Sequence, residues 1–279
     1  MKKGISIWSF ANSNLEDVFK LAKDAGFEGV EVAMDESGQI SLNSTYEDMQ
    51  KVKALAARFG IELYSVASGL YWQYSMTDND PAIRQKSLDI AKKQLEIANW
   101  LGCSSILMIP GHVSVSFQPD LEVIPYNIAY ERAFDAVKSL APFAEEAKVQ
   151  LCVENVWNQL LVSPIEMKQF IDKIDSPYVG AYFDVGNVVF NGYPEHWIEI
   201  LAEDIYKVHF KDYRKDAGGL SGFVDLLSGD VNYPAVMKQL EKVGYDGWVT
   251  AEMLPPYTHY PEITVFNASK AMDAIISNI

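Results

Sequence analysis

This chain has few of the residues that build disulfide scaffolds, membrane spans or nucleic-acid grooves. It carries 2 cysteines in 279 residues, too few for a disulfide framework. Cys103 and Cys152 each open an apolar run and read as reduced core side chains. No run of about eighteen apolar residues occurs, so no transmembrane helix is expected. The opening stretch, MKKGISIWSFANSN, has two lysines but too short an apolar segment for a signal peptide, and the expectation is a soluble, cytoplasmic protein with no membrane partner. Basic residues are in short supply: 23 Lys and Arg stand against 38 Asp and Glu, a formal charge of −15. Such a surface repels phosphate backbones and argues against nucleic acid as a partner. No linker, low-complexity tract or break in composition divides the chain, so residues 1–279 read as a single domain.

What is present is a repeated unit. LAKDAGFEGVEVA (21–33) resembles QLEKVGYDGWVTAE (239–252), and looser copies are ARFGIELYSV and NWLGCSSILMI. Each is a helix end, a glycine and a strand. Gly26, Gly60, Gly102 and Gly244 fit the left-handed position that closes a helix. Ser13 with Glu16, Ser163-Pro164 with Glu166 and, more weakly, Thr45 with Asp48 mark helix starts. Helices are expected near 14–25, 45–59, 81–101, 127–148, 163–175, 194–203, 232–243 and 261–277, with Pro142 kinking or breaking the fourth. Strands are expected at 4–9, 29–34, 62–67, 104–109, 149–154, 179–184, 205–210 and 248–253. They are continuous apolar runs, as parallel strands covered on both faces should be. Eight strands alternating with eight helices predict a (β/α)₈ TIM barrel. The competing open sheet is weakened because SIWSFANSN offers no G-x-G-x-x-G after the first strand.

Barrel chemistry sits at the carboxyl ends of the strands. VQLCVEN ends in Glu154, VGAYFDVGN reaches Asp184, IYKVHFKD reaches His209 and WVTAEM reaches Glu252. A carboxylate closing an apolar strand needs a partner, since an unpaired buried charge is costly. A strand-end acid can cap the next helix or pair with lysine, but four successive strand ends would each need that excuse. The shared partner expected is a divalent cation. Three carboxylates and an imidazole suit Mn²⁺ first, with Mg²⁺, Co²⁺ or Zn²⁺ as alternatives. His112, Lys211 and Arg214 are candidate substrate contacts, with a surface loop or solvent-exposed position as the competing reading for His112 and Arg214. His196 and His259 read as surface or loop residues. Trp8, Phe10, Tyr71, Trp72 and Trp157 follow strands one, three and five and fit either an apolar wall for a sugar or core packing. Glu31, ending VEV, fits a polar wall residue or a cap.

VENVWN, FDVGNVV, KVHFKDYR and VTAEM, in this order, resemble the xylose isomerase-like barrel superfamily of sugar isomerases and epimerases, over nearly the whole chain. Within it the chain looks most like the ketose and ketose-phosphate 3-epimerases. The resemblance implies Glu154, Asp184, His209 and Glu252 as metal ligands, Glu154 and Glu252 as the acid–base pair, and Arg214 as a substrate contact. It also implies a sugar or sugar phosphate as substrate, and a homodimer or homotetramer. Asn187 stands where the free-ketose epimerases have histidine, which makes it a candidate substrate contact, and Leu160 stands where they have glutamate. The D-V-G-N form is more similar to the xylulose-5-phosphate and hexulose-phosphate group, and Gly218-Gly219 with Arg214 and Lys215 is the candidate phosphate cradle. The implied reaction is 3-epimerisation through a metal-stabilised enediolate. The same site could serve a dehydratase or lyase acting on a keto-cyclitol or 3-keto glycoside. A metal-dependent phosphodiesterase is disfavoured by only 4 histidines and the charge of −15, and a non-catalytic sugar-binding barrel by the complete ligand set.

Overall fold

Apolar runs and helix signals alternate along the chain, and the backbone of the computed structural model, which describes residues 1–277, follows them. Residues 278 and 279, the end of the expected single domain, lie outside the described residues. The order is β1 (Lys2–Ser6), α1 (Leu15–Ala25), β2 (Gly29–Ala33), α2 (Tyr46–Phe59), β3 (Glu62–Ala67), α3 (Pro81–Leu101), β4 (Ser105–Met108) and α4 (Tyr126–Ala147). There follow β5 (Gln150–Glu154), α5 (Pro164–Ile174), β6 (Val179–Asp184), α6 (Pro194–Leu201), β7 (Ile205–Phe210), the short strands β8 (Asp212–Tyr213) and β9 (Phe223–Val224), α7 (Tyr233–Lys242), β10 (Trp248–Ala251) and α8 (Pro261–Ile276). The eight longer strands close into a parallel barrel in the order β1-β10-β7-β6-β5-β4-β3-β2, and β8 and β9 form a separate antiparallel hairpin. This is the expected (β/α)₈ barrel in one α/β domain. Among the described residues, no helix is long and apolar enough to cross a membrane.

Local details differ from the sequence reading where two signals compete. The first strand ends at Ser6, and Ile7–Ser9 forms a 3₁₀ turn instead of continuing to residue 9. Asn14, not Ser13, caps α1, because its side-chain oxygen accepts from the amides of both Glu16 and Asp17. Thr45 and Asp48 make a full capping box on α2. The α4 helix runs through Pro142 without a break. Pro142 and Lys138, whose carbonyl loses its partner, both lie on the exposed face, where water can take that carbonyl. Gly26, Gly60 and Gly102 close their helices in the left-handed region, and Gly244 does so one residue beyond the Val243 cap.

The interior of the barrel carries polar side chains as well as apolar ones. Tyr64 crosses it from β3, and its hydroxyl meets Thr250 Oγ1 on β10 at 2.8 Å. The ring also stacks on Trp248 with centroids 4.0 Å apart. Gly4 on β1 makes this crossing feasible, since a Cβ there would stand 2.2 Å from the Tyr64 hydroxyl oxygen. A fully buried ring cannot move aside without vacating its packing. Gly4→Ala should therefore lower unfolding free energy by about 1–3 kcal/mol in urea titrations, through forced repacking of Tyr64. An unchanged midpoint would mean that the barrel floor is looser than its contacts indicate.

Candidate active site

Parallel register brings the ends of β5, β6, β7 and β10 side by side. Glu154 pairs with Tyr182, Asp184 with His209, and Thr250 with His209 across neighbouring strands. Alternation then aims Asp184, His209 and Glu252 into the same end of the barrel as Glu154. All four are buried, and one ligand atom from each lies within 4.8 Å of every other. From His209 Nδ1 the distances are 3.4 Å to Glu154 Oε1, 3.6 Å to Glu252 Oε2 and 3.9 Å to Asp184 Oδ2.

The backbone that holds these groups is tied by side chains. Asn155 grips the end of β6 twice: its amide donates to the Asp184 carbonyl at 2.8 Å, and its oxygen accepts from the Asp184 amide at 2.9 Å. Asp184 Oδ1 accepts from the Asn187 amide at 2.8 Å, which leaves Oδ2 turned to the cluster. The D-V-G-N turn needs its glycine, because a Cβ at Gly186 would stand 2.8 Å from the Lys211 backbone. Ser9 ties the end of β1 to β10, its hydroxyl accepting from the Met253 amide at 2.8 Å.

Glu31 lies behind His209. From β2, across the barrel, its fully buried carboxylate accepts from His209 Nε2 at 3.0 Å. That bond keeps a proton on Nε2 and turns Nδ1, which has no hydrogen-bond partner, to face the three carboxylates. The Lys211 ammonium is the cation nearest the cluster. It lies 3.3 Å from Asp184 Oδ2 and in contact with Glu252 Oε2. Burial pushes Glu154 up to about 7 and raises Asp184 as well. Burial also opposes ionisation of Glu252, but Lys211 and His209 prevail and hold it below the usual carboxylate range. Burial works against the charged forms of His209 and Lys211, yet the surrounding carboxylates raise both.

An oxygen-rich donor set, a free imidazole nitrogen and more negative than positive groups fit a divalent cation. Glu154, Asp184, His209 and Glu252 could hold it.

The cluster opens into a cavity of about 470 Å³ lined by Trp8, Trp157, Asn187 and Lys211 among the expected residues, and by Trp72. His112 and Arg214 are not brought to it. The His112 backbone, in the loop after β4, is pinned to Thr77 by two hydrogen bonds, and the residue is buried away from the cavity lining. Arg214 is exposed and donates to the Ser228 carbonyl at 2.5 Å. Phe10 and Tyr71 are core residues, Tyr71 donating to Gln94 at 2.5 Å. His196 and His259 are exposed. Sequence reasoning missed Asn155, Ser9, Phe117 and Phe223. Asn155 carried a signal, standing directly after Glu154 at a strand end, whereas Phe117 lies in a loop and Phe223 in the short β9 strand, neither with a periodic pattern.

The model of the xylose isomerase-like TIM barrel family matches residues 19–272. The chain belongs to this family. It is 23% identical over 252 residues, 89% of this chain and 85% of the other, to the L-ribulose-5-phosphate 3-epimerase UlaE of Shigella flexneri serotype 5b. Among solved structures it is similar in fold to D-psicose 3-epimerase with D-tagatose from Clostridium cellulolyticum H10, at TM-score 0.80, 18% identity and 99% coverage of both chains. It is likewise similar to the IOLI protein with a bound zinc atom, at TM-score 0.81, 16% identity, 100% of this chain and 99% of the other.

Two outcomes follow for cation binding. A cation competes with protons for this cluster, where burial raises Glu154 to about 7 and raises Asp184 as well. Apparent affinity for Mn²⁺ or Zn²⁺ should thus rise with pH through 7, read by calorimetric titration. Affinity that does not vary with pH would show that the raised groups of this cluster do not hold the cation. Glu31→Ala should weaken the same affinity by about 10–100-fold at pH 7.5, with the fold intact by circular dichroism. Wild-type affinity in that variant would show that His209 is oriented without Glu31.

Proposed function

We propose that this protein is a divalent-metal-dependent epimerase or isomerase of a keto sugar or keto-sugar phosphate, inverting C3 with Glu154 and Glu252 as its acid–base pair. One observation carries the reading: the two carboxylates stand at the ends of an arc of four adjacent strands, open into one cavity, and have proton affinities pushed in opposite directions. The 3-epimerase names of the UlaE and D-psicose 3-epimerase relatives support the same reaction class. In this reading Glu154, Asp184, His209 and Glu252 hold the ion. The oxygen-rich set favours Mn²⁺, with Mg²⁺ or Co²⁺ as alternatives, and the zinc of the IOLI protein adds Zn²⁺. The bound ion would supply a Lewis acid toward the substrate carbonyl oxygen.

The chain's own groups do the rest. Glu252, held ionised beside Lys211, takes the proton from C3, and the electron pair of the broken C–H bond moves into the adjoining carbonyl. The Lys211 ammonium offers a hydrogen bond to the oxygen on which negative charge gathers. Glu154, carrying its proton, delivers it to the opposite face of C3, and the carbonyl re-forms with the configuration inverted. Asn187, Trp8 and Trp157 contact the sugar, and the aromatic wall excludes water from the carbanionic stage. Arg214 and His112, outside the cavity, have no part in this scheme.

In D₂O with Mn²⁺, enzyme and substrate should give the 3-epimer with deuterium at C3, read by NMR. Glu154→Gln and Glu252→Gln should each lower kcat by about 10²–10⁴. Near-normal turnover of Glu252→Gln would refute the two-carboxylate scheme. Deuterium entry coupled to loss of water or of a glycosidic group would move the assignment to a dehydratase or lyase.

A further inference from the structure

Resemblance in sequence and the UlaE relative both point toward phosphorylated sugars, but the walls of the cavity do not. Ten of its fifteen lining residues are apolar. Trp8, Trp72, Phe117, Phe223 and Leu254 make up much of that wall, with Trp72 and Phe117 edge to face at 4.9 Å and Trp157 and Phe223 at 5.2 Å. Lys211 is the cation among the described lining residues, and its ammonium already sits against Asp184 and Glu252.

The basic side chains next to the mouth in sequence are held elsewhere. Arg214 donates to the Ser228 carbonyl, and the Lys215 ammonium lies over the Tyr193 ring at 5.2 Å. Arg132 donates to the carbonyls of Thr77 and Asp78. The turn at Gly218 and Gly219, the cradle suggested by the sequence, opens to free space, with no heavy atom within 4 Å of either added Cβ.

A phosphate monoester carries about −1.5 to −2 at pH 7 and needs charge-assisted donors to leave water. Placed in this cavity it would face aromatic rings and aliphatic side chains, with a cluster of carboxylates beneath and a formal charge of −15 on the whole molecule. A sugar ring presents C–H groups on its faces and hydroxyls at its edge, which match an aromatic wall above a polar floor.

Resting on the epimerase reading, we infer that the substrate is an uncharged keto sugar without a phosphate group. The end remote from the reacting carbon lies against the wall formed by Trp8, Trp72, Phe117, Phe223 and Leu254. Its ketone and neighbouring hydroxyl point down to Glu154, Glu252 and Lys211. Leu254 is a specificity-determining residue in this arrangement, because it lines the cavity from a position 42% exposed and could be replaced by a longer polar side chain without entering the core.

The test uses metal-loaded full-length enzyme and matched pairs: L-ribulose and its 5-phosphate, D-xylulose and its 5-phosphate, D-fructose and its 6-phosphate. Binding is read by quenching of tryptophan fluorescence, since Trp8, Trp72 and Trp157 line the cavity, and turnover by deuterium entry at C3. The neutral member of at least one pair should bind, and should bind at least a hundredfold tighter than its ester. Leu254→Arg should narrow that ratio at least tenfold by improving the ester. Tighter binding of the esters to the wild type, or quenching by no neutral sugar, overturns the inference. Neutral sugars that bind without C3 exchange overturn the epimerase reading and leave this inference standing, whereas exchange confined to esters does the reverse.

Discussion

Negative charge confined away from water is the constraint on which this structure depends. Glu154, Asp184 and Glu252 converge on one nitrogen of His209 while Glu31 presses on the other, all five being buried. Carboxylates so close cannot all ionise at neutral pH without a countercharge. The protein answers this in three ways: Lys211 is drawn against two of them, burial raises Glu154 toward its protonated form, and His209 Nδ1 is directed at the gap between them. Each answer also suits the proton transfer proposed for this site, so the device that keeps the barrel mouth stable would be the one that makes it reactive.

The scaffold is arranged so that this strain stays local. Asn155 and Ser9 bind strand end to strand end with side-chain hydrogen bonds to backbone, and Gly186 lets the turn after β6 lie against the Lys211 backbone, so the clustered residues cannot spread apart under mutual repulsion. Beneath them, Tyr64 and Thr250 close the barrel with a neutral hydrogen bond in a space that Gly4 leaves free. Rigid support under a charged cluster keeps donors from relaxing toward water, which is what preorganisation means in energetic terms.

Much of this was legible in the sequence, and the parts that were not share a cause. Periodicity and helix-ending glycines gave the barrel, and four polar residues at the ends of apolar runs gave the cluster, because both signals lie within a few residues of one another. Glu31 could be noticed but not placed. Its partner is 178 positions away, and only closure of the sheet puts β2 opposite β7. The wall residues Phe117 and Phe223 belong to a loop and a hairpin whose paths follow from tertiary packing rather than from any repeat. Arg214 looked like a substrate contact because it follows His209 closely, yet the β8–β9 hairpin turns it toward Ser228. Asn14 displaced Ser13 as a cap because two acceptor geometries one residue apart cannot be ranked without the backbone.

The buried floor has a kinetic meaning. Tyr182 and Tyr64 fill the barrel beneath His209 and are fully buried, and Glu154 and Glu252 open upward into the cavity above. If the proposed function holds, ion and sugar would share one doorway and pass in sequence, the ion first. A sugar seated over the cluster would then act as a stopper: the ion would exchange with solvent only between product release and the next arrival, so a well-supplied enzyme would resist chelators that strip it when idle.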